Sequence, residues 1–207
     1  MKLPEKNMKE IRFDDCIFYV SQKVYEPAED TFLFAQNLVV NENDVVLDLG
    51  TGCGILGILA AKKAKKVVAT DINPYAVRCA RINAGQNNVL AKIDIRQGSL
   101  FEPIGKSEKF DVIIFNAPYL PTSEGEKRSW VGKAWAGGQS GRDIIEPFIS
   151  KALNHLKKKG RIFLAQSSLS DIEKTIQRFR ESGLDATIVA ERKFPFETIV
   201  VIKAVFH

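Results

Sequence analysis

The stretch Asp48-Leu49-Gly50-Thr51-Gly52-Cys53-Gly54 limits the folds open to this chain more than any other. It follows the apolar run Val45-Val46-Leu47 and opens a segment in which Ile55, Ile58, Leu59 and Ala60 fall on one side of a helix. Glycine at alternate positions lets the backbone reverse within a few residues and lets a ligand lie close to the main chain. Strand, glycine turn and helix in that order begin a parallel α/β unit.

The alternation continues along the chain. Strands are expected at 44–49, 67–70, 93–96, 110–115 and 161–165, and helices at 55–64, 73–84, 144–156 and 169–181. Asn73 is the expected cap of the second of these helices, with Pro74 at its first position; Ser170 is the expected cap of the last, which Gly183 ends. The final strands, 186–190 and 198–205, are separated by only residues 191–197. That is too short for a helical crossover, so they pair antiparallel. The expected architecture is Rossmann-like α/β: a seven-stranded, mostly parallel sheet with one antiparallel strand and helices on both faces. Ahead of it, residues 11–24 read as a hairpin interrupted by Asp14-Asp15. A helix with Pro27 in its first turn, favoured there by the acids Glu29 and Asp30, reaches to about 39. Residues 1–40 are thus an N-terminal extension, hairpin and helix, packed on a core domain of 41–207. The first ten residues are polar and expected to fray.

Composition excludes several classes. At 207 residues and 45% hydrophobic, the chain can bury a core without staples. Cys16, Cys53 and Cys79 make neither a metal pattern nor a disulfide framework, which fits the reducing cytoplasm. No apolar run suits a membrane span, and the charged first ten residues do not read as a signal peptide. The net charge of +5 leaves an RNA-linked partner open. The lysines cluster at 62–66 and 157–159, where helices are expected to end and cations suit the helix dipole.

Two acids decide what the glycine turn holds. A dinucleotide-type turn receives a pyrophosphate. Asp48, immediately before the turn, would repel one and suits a ligand carrying an ammonium or sulfonium group. Asp71 closes the next strand, where a carboxylate can accept both ribose hydroxyls. By letter Gly52, Gly54 and Gly57 also complete a dinucleotide fingerprint, but with Gly57 inside the helix.

The strand at 110–115 delivers Asn116-Ala117-Pro118-Tyr119. Two acceptors, the Asn116 amide oxygen and the Ala117 carbonyl, can bind the two hydrogens of a planar nitrogen, and Tyr119 can stack on the flat group. Pro118 pushes Ala117 toward an extended conformation. Neither His155 nor His207 is placed to act as a base.

Glycine turn, preceding acid and following acid together resemble the S-adenosylmethionine site of class I methyltransferases. Asn116-Ala117-Pro118-Tyr119 is similar to the (Asn/Asp/Ser)-Pro-Pro-(Tyr/Phe) motif of those that methylate amide or exocyclic amino nitrogens, departing from it at Ala117. The stretches Val24-Tyr25-Glu26-Pro27-Ala28-Glu29-Asp30-Thr31-Phe32 and Ala134-Trp135-Ala136-Gly137-Gly138-Gln139-Ser140-Gly141-Arg142 resemble the eukaryotic and archaeal branch of the HemK family, glutamine N5-methyltransferases of class 1 translation release factors. The resemblance implies S-adenosylmethionine as cofactor. Thr31 would touch its methionine end, Asp48, Gly50 and Gly52 its amino acid part, Asp71 the ribose, and Ser99 and Leu100 the adenine. Ser99 stands where the family carries an acid, which weakens that contact. Asn116, Pro118 and Tyr119 would grip the target glutamine of a Gly-Gly-Gln loop, with Asn116 also beside the cofactor. Trp130 and Trp135 either shape the target groove or anchor their loop. Gly137-Gly138-Gln139 matches the target loop by letter only. A small zinc-binding activator protein is implied as heterodimer partner, on the edge of the strand at 93–96 and over exposed Val89, Leu90, Ile93 and Ile95; this chain itself offers no metal site.

RNA adenine N6 or guanine N2 uses the same grip, but no RNA-binding module is evident, so nucleic acid is not the expected partner. A protein lysine would first have to lose a proton, and no base is in view. A non-catalytic scaffold would not need Asp48, Gly50, Asp71 and Asn116 together.

Overall fold

The structure, a computed structural model, describes residues 7–123 and 129–206. The chain opens with a hairpin, β1 (Lys9–Phe13) and β2 (Cys16–Val20), and a helix, α1 (Glu29–Asn37). The core then alternates β3 (Val45–Leu49), α2 (Ile55–Lys63), β4 (Lys66–Asp71), α3 (Pro74–Gln86), β5 (Ile93–Gln97) and β6 (Phe110–Asn116). It continues with α4 (Trp130–Trp135), α5 (Ile145–Ala152), β7 (Leu156–Ser167), α6 (Ile172–Glu181), β8 (Leu184–Lys193) and β9 (Thr198–Phe206). The seven core strands lie in the order β5-β4-β3-β6-β7-β9-β8. Only β9 is reversed, pairing antiparallel with both β7 and β8.

The central strands read as unbroken apolar runs because both their faces are covered. Val46, Leu47, Leu49, Val112, Ile113 and Ile114 are fully buried. The order steps outward from β3 in two directions, so right-handed crossovers put α2 and α3 on one face and α5 and α6 on the other. The reversal of direction between β3 and β6 leaves a crevice at the carboxyl ends of the strands, where ligands bind in such sheets.

The N-terminal extension shares the core: Phe18, Val20 and Phe34 are buried in the same cluster as the sheet. The edge of β2 lies against α3, where two asparagines four residues apart stand in for a neighbouring strand. Asn87 Oδ1 accepts from Ile17 N–H and its Nδ2 donates to the Ile17 carbonyl, at 3.0 and 2.8 Å. Asn83 does the same for Tyr19, at 2.8 and 2.9 Å.

Several local expectations are corrected. Pro27 stands outside α1, whose N-cap is Ala28. The helix expected over 144–156 ends at Ala152 and tightens into a 3-10 turn, Leu153–His155. Leu156 fits the helical spacing, but it pairs with Phe110 and so opens β7. Lys157, Lys158 and Lys159 therefore ride on the bulged start of a strand rather than a helix end. The cap of α6 is Asp171, not Ser170: its φ of 60° turns the chain and its carboxylate accepts from Lys174 N–H at 3.0 Å. Ser170 instead donates to the Ser167 carbonyl. The helix α4 falls between the strand expected at 110–115 and the helix expected at 144–156, where the sequence predicts no element. No helix among the described residues is long and apolar enough to cross a membrane.

Candidate active site

A cavity of about 600 Å³ opens where β3, β4, β5 and β6 end. The glycine turn forms one wall. Gly50, Gly52 and Gly54 have φ of 62°, 57° and 93°, values that side chains resist. A Cβ on Gly54 would also meet Ala80 at 3.1 Å, so this glycine admits the close crossing of α2 and α3. Thr51 N–H donates to the Thr70 carbonyl at 2.9 Å, tying the turn to β4.

Asp71 stands on the cavity surface. Its Oδ2 accepts from Gly52 N–H and its Oδ1 from Asn73 N–H, each at 2.8 Å. These bonds fix the carboxylate and leave each oxygen a lone pair toward the cavity. Burial nonetheless pushes its pKa up, against those two N–H groups.

Asp48 is placed differently from Asp71. It is 1% exposed and lies behind the turn, off the cavity surface. Its Oδ2 accepts from the Thr51 hydroxyl at 2.6 Å. A Cβ on Gly57 would fall 2.7 Å from the same oxygen, so Gly57 gives the carboxyl its room inside the helix. Burial, partly offset by Thr51 and the Gly57 N–H, pushes its pKa up to about 7.

Ser99 and Leu100 both line the cavity, and Leu100 is held at a φ of 45°. A bulky residue in the left-handed region is strained, and such strain clusters at functional sites. Ile72 lines the cavity while 50% exposed. It offers an uncovered apolar side chain that no motif had marked.

At the other end, Asn116, Ala117, Pro118 and Tyr119 all reach the cavity. What fixes them is Asp30, which in the sequence reads as a helix-start acid within the stretch Val24 to Phe32 and carries no site role there. Its Oδ2 accepts from Asn116 Nδ2 at 3.0 Å and from the Tyr119 hydroxyl at 3.2 Å. Its Oδ1 accepts from the Tyr25 and Thr31 hydroxyls at 3.1 and 3.2 Å. A carboxylate only accepts, so the Asn116 amide must turn its nitrogen toward Asp30. Its Oδ1 is then shut from solvent with no hydrogen-bond partner among the described residues. Burial first, then Asp30, holds both tyrosine hydroxyls well above their usual pKa, so both remain donors. Thr31 stands behind this wall, accepting from Asn116 Nδ2 at 3.3 Å, and is not on the cavity surface.

The outer rim comes from α4 and the loop after it. Trp130, Lys133 and Trp135 line the cavity, and Lys133 Nζ sits 4.6 Å over the Trp130 ring. Gly137 and Gly138 close a tight loop: Gly137 N–H donates to Leu120, Asp143 N–H donates to Gly137, and a Cβ on Gly138 would overlap Asp143. The glycines of Gly137-Gly138-Gln139 are thus explained by the approach of the Gly141 backbone to Gly137 and of the Asp143 carboxylate to Gly138, whose φ is 80°. Arg142, 5% exposed, pins the loop to α6 through the carbonyls of Ser170 and Asp171 and the Thr175 hydroxyl.

The family model for the methyltransferase small domain matches residues 21–131, more than half the chain. A model for the Eco57I restriction-modification methylase matches residues 80–191. MJ0928 of Methanocaldococcus jannaschii, provisionally named a protein N5-glutamine methyltransferase, is 48% identical over 184 residues, covering 88% of this chain and 91% of its own. This chain belongs to the HemK family. Human methyltransferase HEMK2 is 31% identical over 87% of this chain and 88% of its own. In the solved E. cuniculi Mtq2–Trm112 complex, described as methylating the eRF1 translation termination factor, the matching chain has a TM-score of 0.69 and 26% identity, over 90% of this chain and 100% of that one. The family and these neighbours mark a class I methyltransferase dependent on S-adenosylmethionine.

The residues of this HemK chain fit such a cofactor. Asp71 presents fixed acceptors, the glycine turn exposes backbone, and Ile72 and Leu100 supply apolar surface for a planar base.

Proposed function

We propose that this chain methylates the side-chain amide nitrogen of a glutamine, that of the Gly-Gly-Gln loop of a class 1 translation release factor, in the cytoplasm. The observation that carries the reading is Asn116, whose nitrogen is committed to Asp30 and whose oxygen lacks a partner. The names of the relatives point the same way.

S-adenosylmethionine, when bound, supplies a methyl group made electrophilic by the sulfonium. Gly50 and Gly52 admit its amino acid part, Asp71 accepts from the ribose hydroxyls, and Leu100, with Ile72, covers the adenine. Ser99 offers a hydroxyl to the adenine amine. Asp48 shapes the turn from beneath. An amide nitrogen is a poor nucleophile because its lone pair is delocalised. Asn116 Oδ1, which a small shift of the cavity wall must first uncover, and the Ala117 carbonyl accept its two hydrogens, which raises electron density on nitrogen and aims the lone pair at the methyl carbon. Pro118 keeps Ala117 extended and Tyr119 flanks the planar group. Thr31 acts through its bond to Asn116.

The same reading places a small zinc-binding activator on β5, with the zinc in the partner. The expected apolar face is smaller than supposed: Val89, Ile93 and Ile95 are buried, and only Leu90, at 53%, is widely exposed. Asp94 and Arg96 on β5, joined with Glu108 in one ion-pair network, give the edge a charged face. Main-chain pairing along β5 with Leu90 beside it is the contact proposed.

The test is mass spectrometry of the Gly-Gly-Gln peptide after incubating a release factor with this chain, its activator and S-adenosylmethionine. A gain of one methyl on the glutamine, absent in a Gln→Asn substrate, is expected; an unmodified peptide sinks the reading. Asn116→Ala should lower the rate by about 100-fold or more while cofactor affinity stays within about threefold. The Eco57I-type match gives an RNA or DNA amine as the second reading, and a methylated nucleobase with an unmodified release factor would decide for it.

A further inference from the structure

The β8–β9 hairpin ends in an aromatic tip that the fold leaves uncovered. Its turn reads Lys193-Phe194-Pro195-Phe196-Glu197. Phe196 is 91% exposed and Phe194 36%, at positions where turns ordinarily carry Gly, Asn, Asp or Ser beside proline.

The tip is held in place. Phe194 N–H donates to the Glu197 carbonyl at 2.8 Å, and the Ser167 hydroxyl donates to the Glu197 carboxylate at 2.6 Å. Thr198 N–H donates to the Ser168 hydroxyl at 3.0 Å, which draws the 3-10 turn bearing Leu169, 47% exposed, against the hairpin base. Arg192 pairs with Glu29, next to the Asp30 that orients Asn116. Glu197 also lies near enough to act on the hydroxyls of Tyr25 and Tyr119.

The register locates the tip over the site. Asn116 pairs with Ala165, and Ala165 with Val201. Phe196 lies five residues further up the hairpin. At ~3.3 Å per residue that is on the order of 15 Å above Asn116, and about 10 Å, two strand spacings, to the side. A glutamine side chain is too short to leave its main chain far from the cavity, so a polypeptide presenting one must cross the mouth.

We propose that Phe196, flanked by Phe194 and Leu169, is the docking surface for that polypeptide, gripping an apolar side chain roughly three to five residues from the target glutamine in an extended segment. The inference rests on the glutamine reading above. β8 and β5 are opposite edges of the sheet, so an activator on β5 leaves this surface free.

Initial rates at saturating S-adenosylmethionine test it, on an intact release factor and on a short peptide holding only two residues either side of the glutamine. Phe196→Ser should raise KM for the intact protein by about 5- to 20-fold with kcat within about twofold, and leave the short peptide's kcat/KM unmoved. Phe196→Leu keeps an apolar side chain and should stay within about twofold of wild type in KM. Val39→Ser, 58% exposed near Arg161 at the opposite end of the strands, controls for lost surface hydrophobicity and should change nothing. An unchanged KM for Phe196→Ser while the wild type methylates normally overturns the docking surface alone. Phe196→Leu as damaging as Phe196→Ser overturns it too, because apolar surface at this position would then not be what holds the polypeptide. A wild type that leaves the release factor unmodified overturns the parent reading and this one together.

Discussion

Asp30 shows how one residue sets the chemistry of another. Four donors converge on its two oxygens, and the Asn116 amide has only one orientation that satisfies them. Asp30→Asn brings an amide against an amide, so Asn116 loses its fixed orientation. We expect kcat to fall about 100-fold, with the cofactor dissociation constant within about threefold, measured by single-turnover rates and calorimetry. Asp48 makes a different prediction. Its folded pKa, about 7, lies above the ordinary 3.8. Below about pH 4 both folded and unfolded chains hold the proton, and the group contributes no pH dependence. Between pH 4 and 7 the unfolded chain releases it while the folded chain keeps it, so folding stability falls as pH rises, by at most about 4 kcal/mol. Asp71, also raised, acts in the same sense. Thermal unfolding of the ligand-free chain from pH 4 to 8 should therefore show a shallower decline for Asp48→Asn than for wild type; parallel curves would refute the placement.

At the level of elements, α3 joins the N-terminal hairpin to the cofactor turn. Asn83 is fully buried, brackets Tyr19 of β2, and donates to the Cys53 carbonyl of the glycine turn at 2.8 Å. Asn83→Ala strands those backbone groups and should cost about 2–4 kcal/mol in urea unfolding. A loss below about 0.5 kcal/mol would mean that water replaces the side chain. The strand–helix alternation was legible because period and caps are local signals: Asn73 accepts from Tyr75 N–H as its position implied. The boundary at Leu156 was not legible, because apolar spacing continues smoothly and only pairing with Phe110 decides against the helix. The helix α4 is short, and its N-cap Ser129 directly follows residues outside the described segments.

At the scale of the whole molecule, the sheet order gathers a cofactor wall, a target grip and a rim at one end. A ligand bound there holds together β3, β4, β6 and the N-terminal extension. S-adenosylmethionine at about 100 times its dissociation constant should stabilise the fold by about 2.7 kcal/mol and raise Tm by roughly 5–10 °C. No shift at that ratio would deny the site. Sequence alone determined the doubly wound sheet with its reversed β9, the glycine turn with Asp71, and the Asn116 to Tyr119 motif. Each of these is written in short-range periodicity or in adjacent residues. Tertiary structure decided the rest. Asp30 meets Asn116 and Tyr119 across separations of 86 and 89 residues, Asp48 turned out to lie beneath the turn, and the β5 edge buried most of its apolar side chains. Such contacts depend on which strands become neighbours, and a linear pattern carries no signal for the partner a side chain will find.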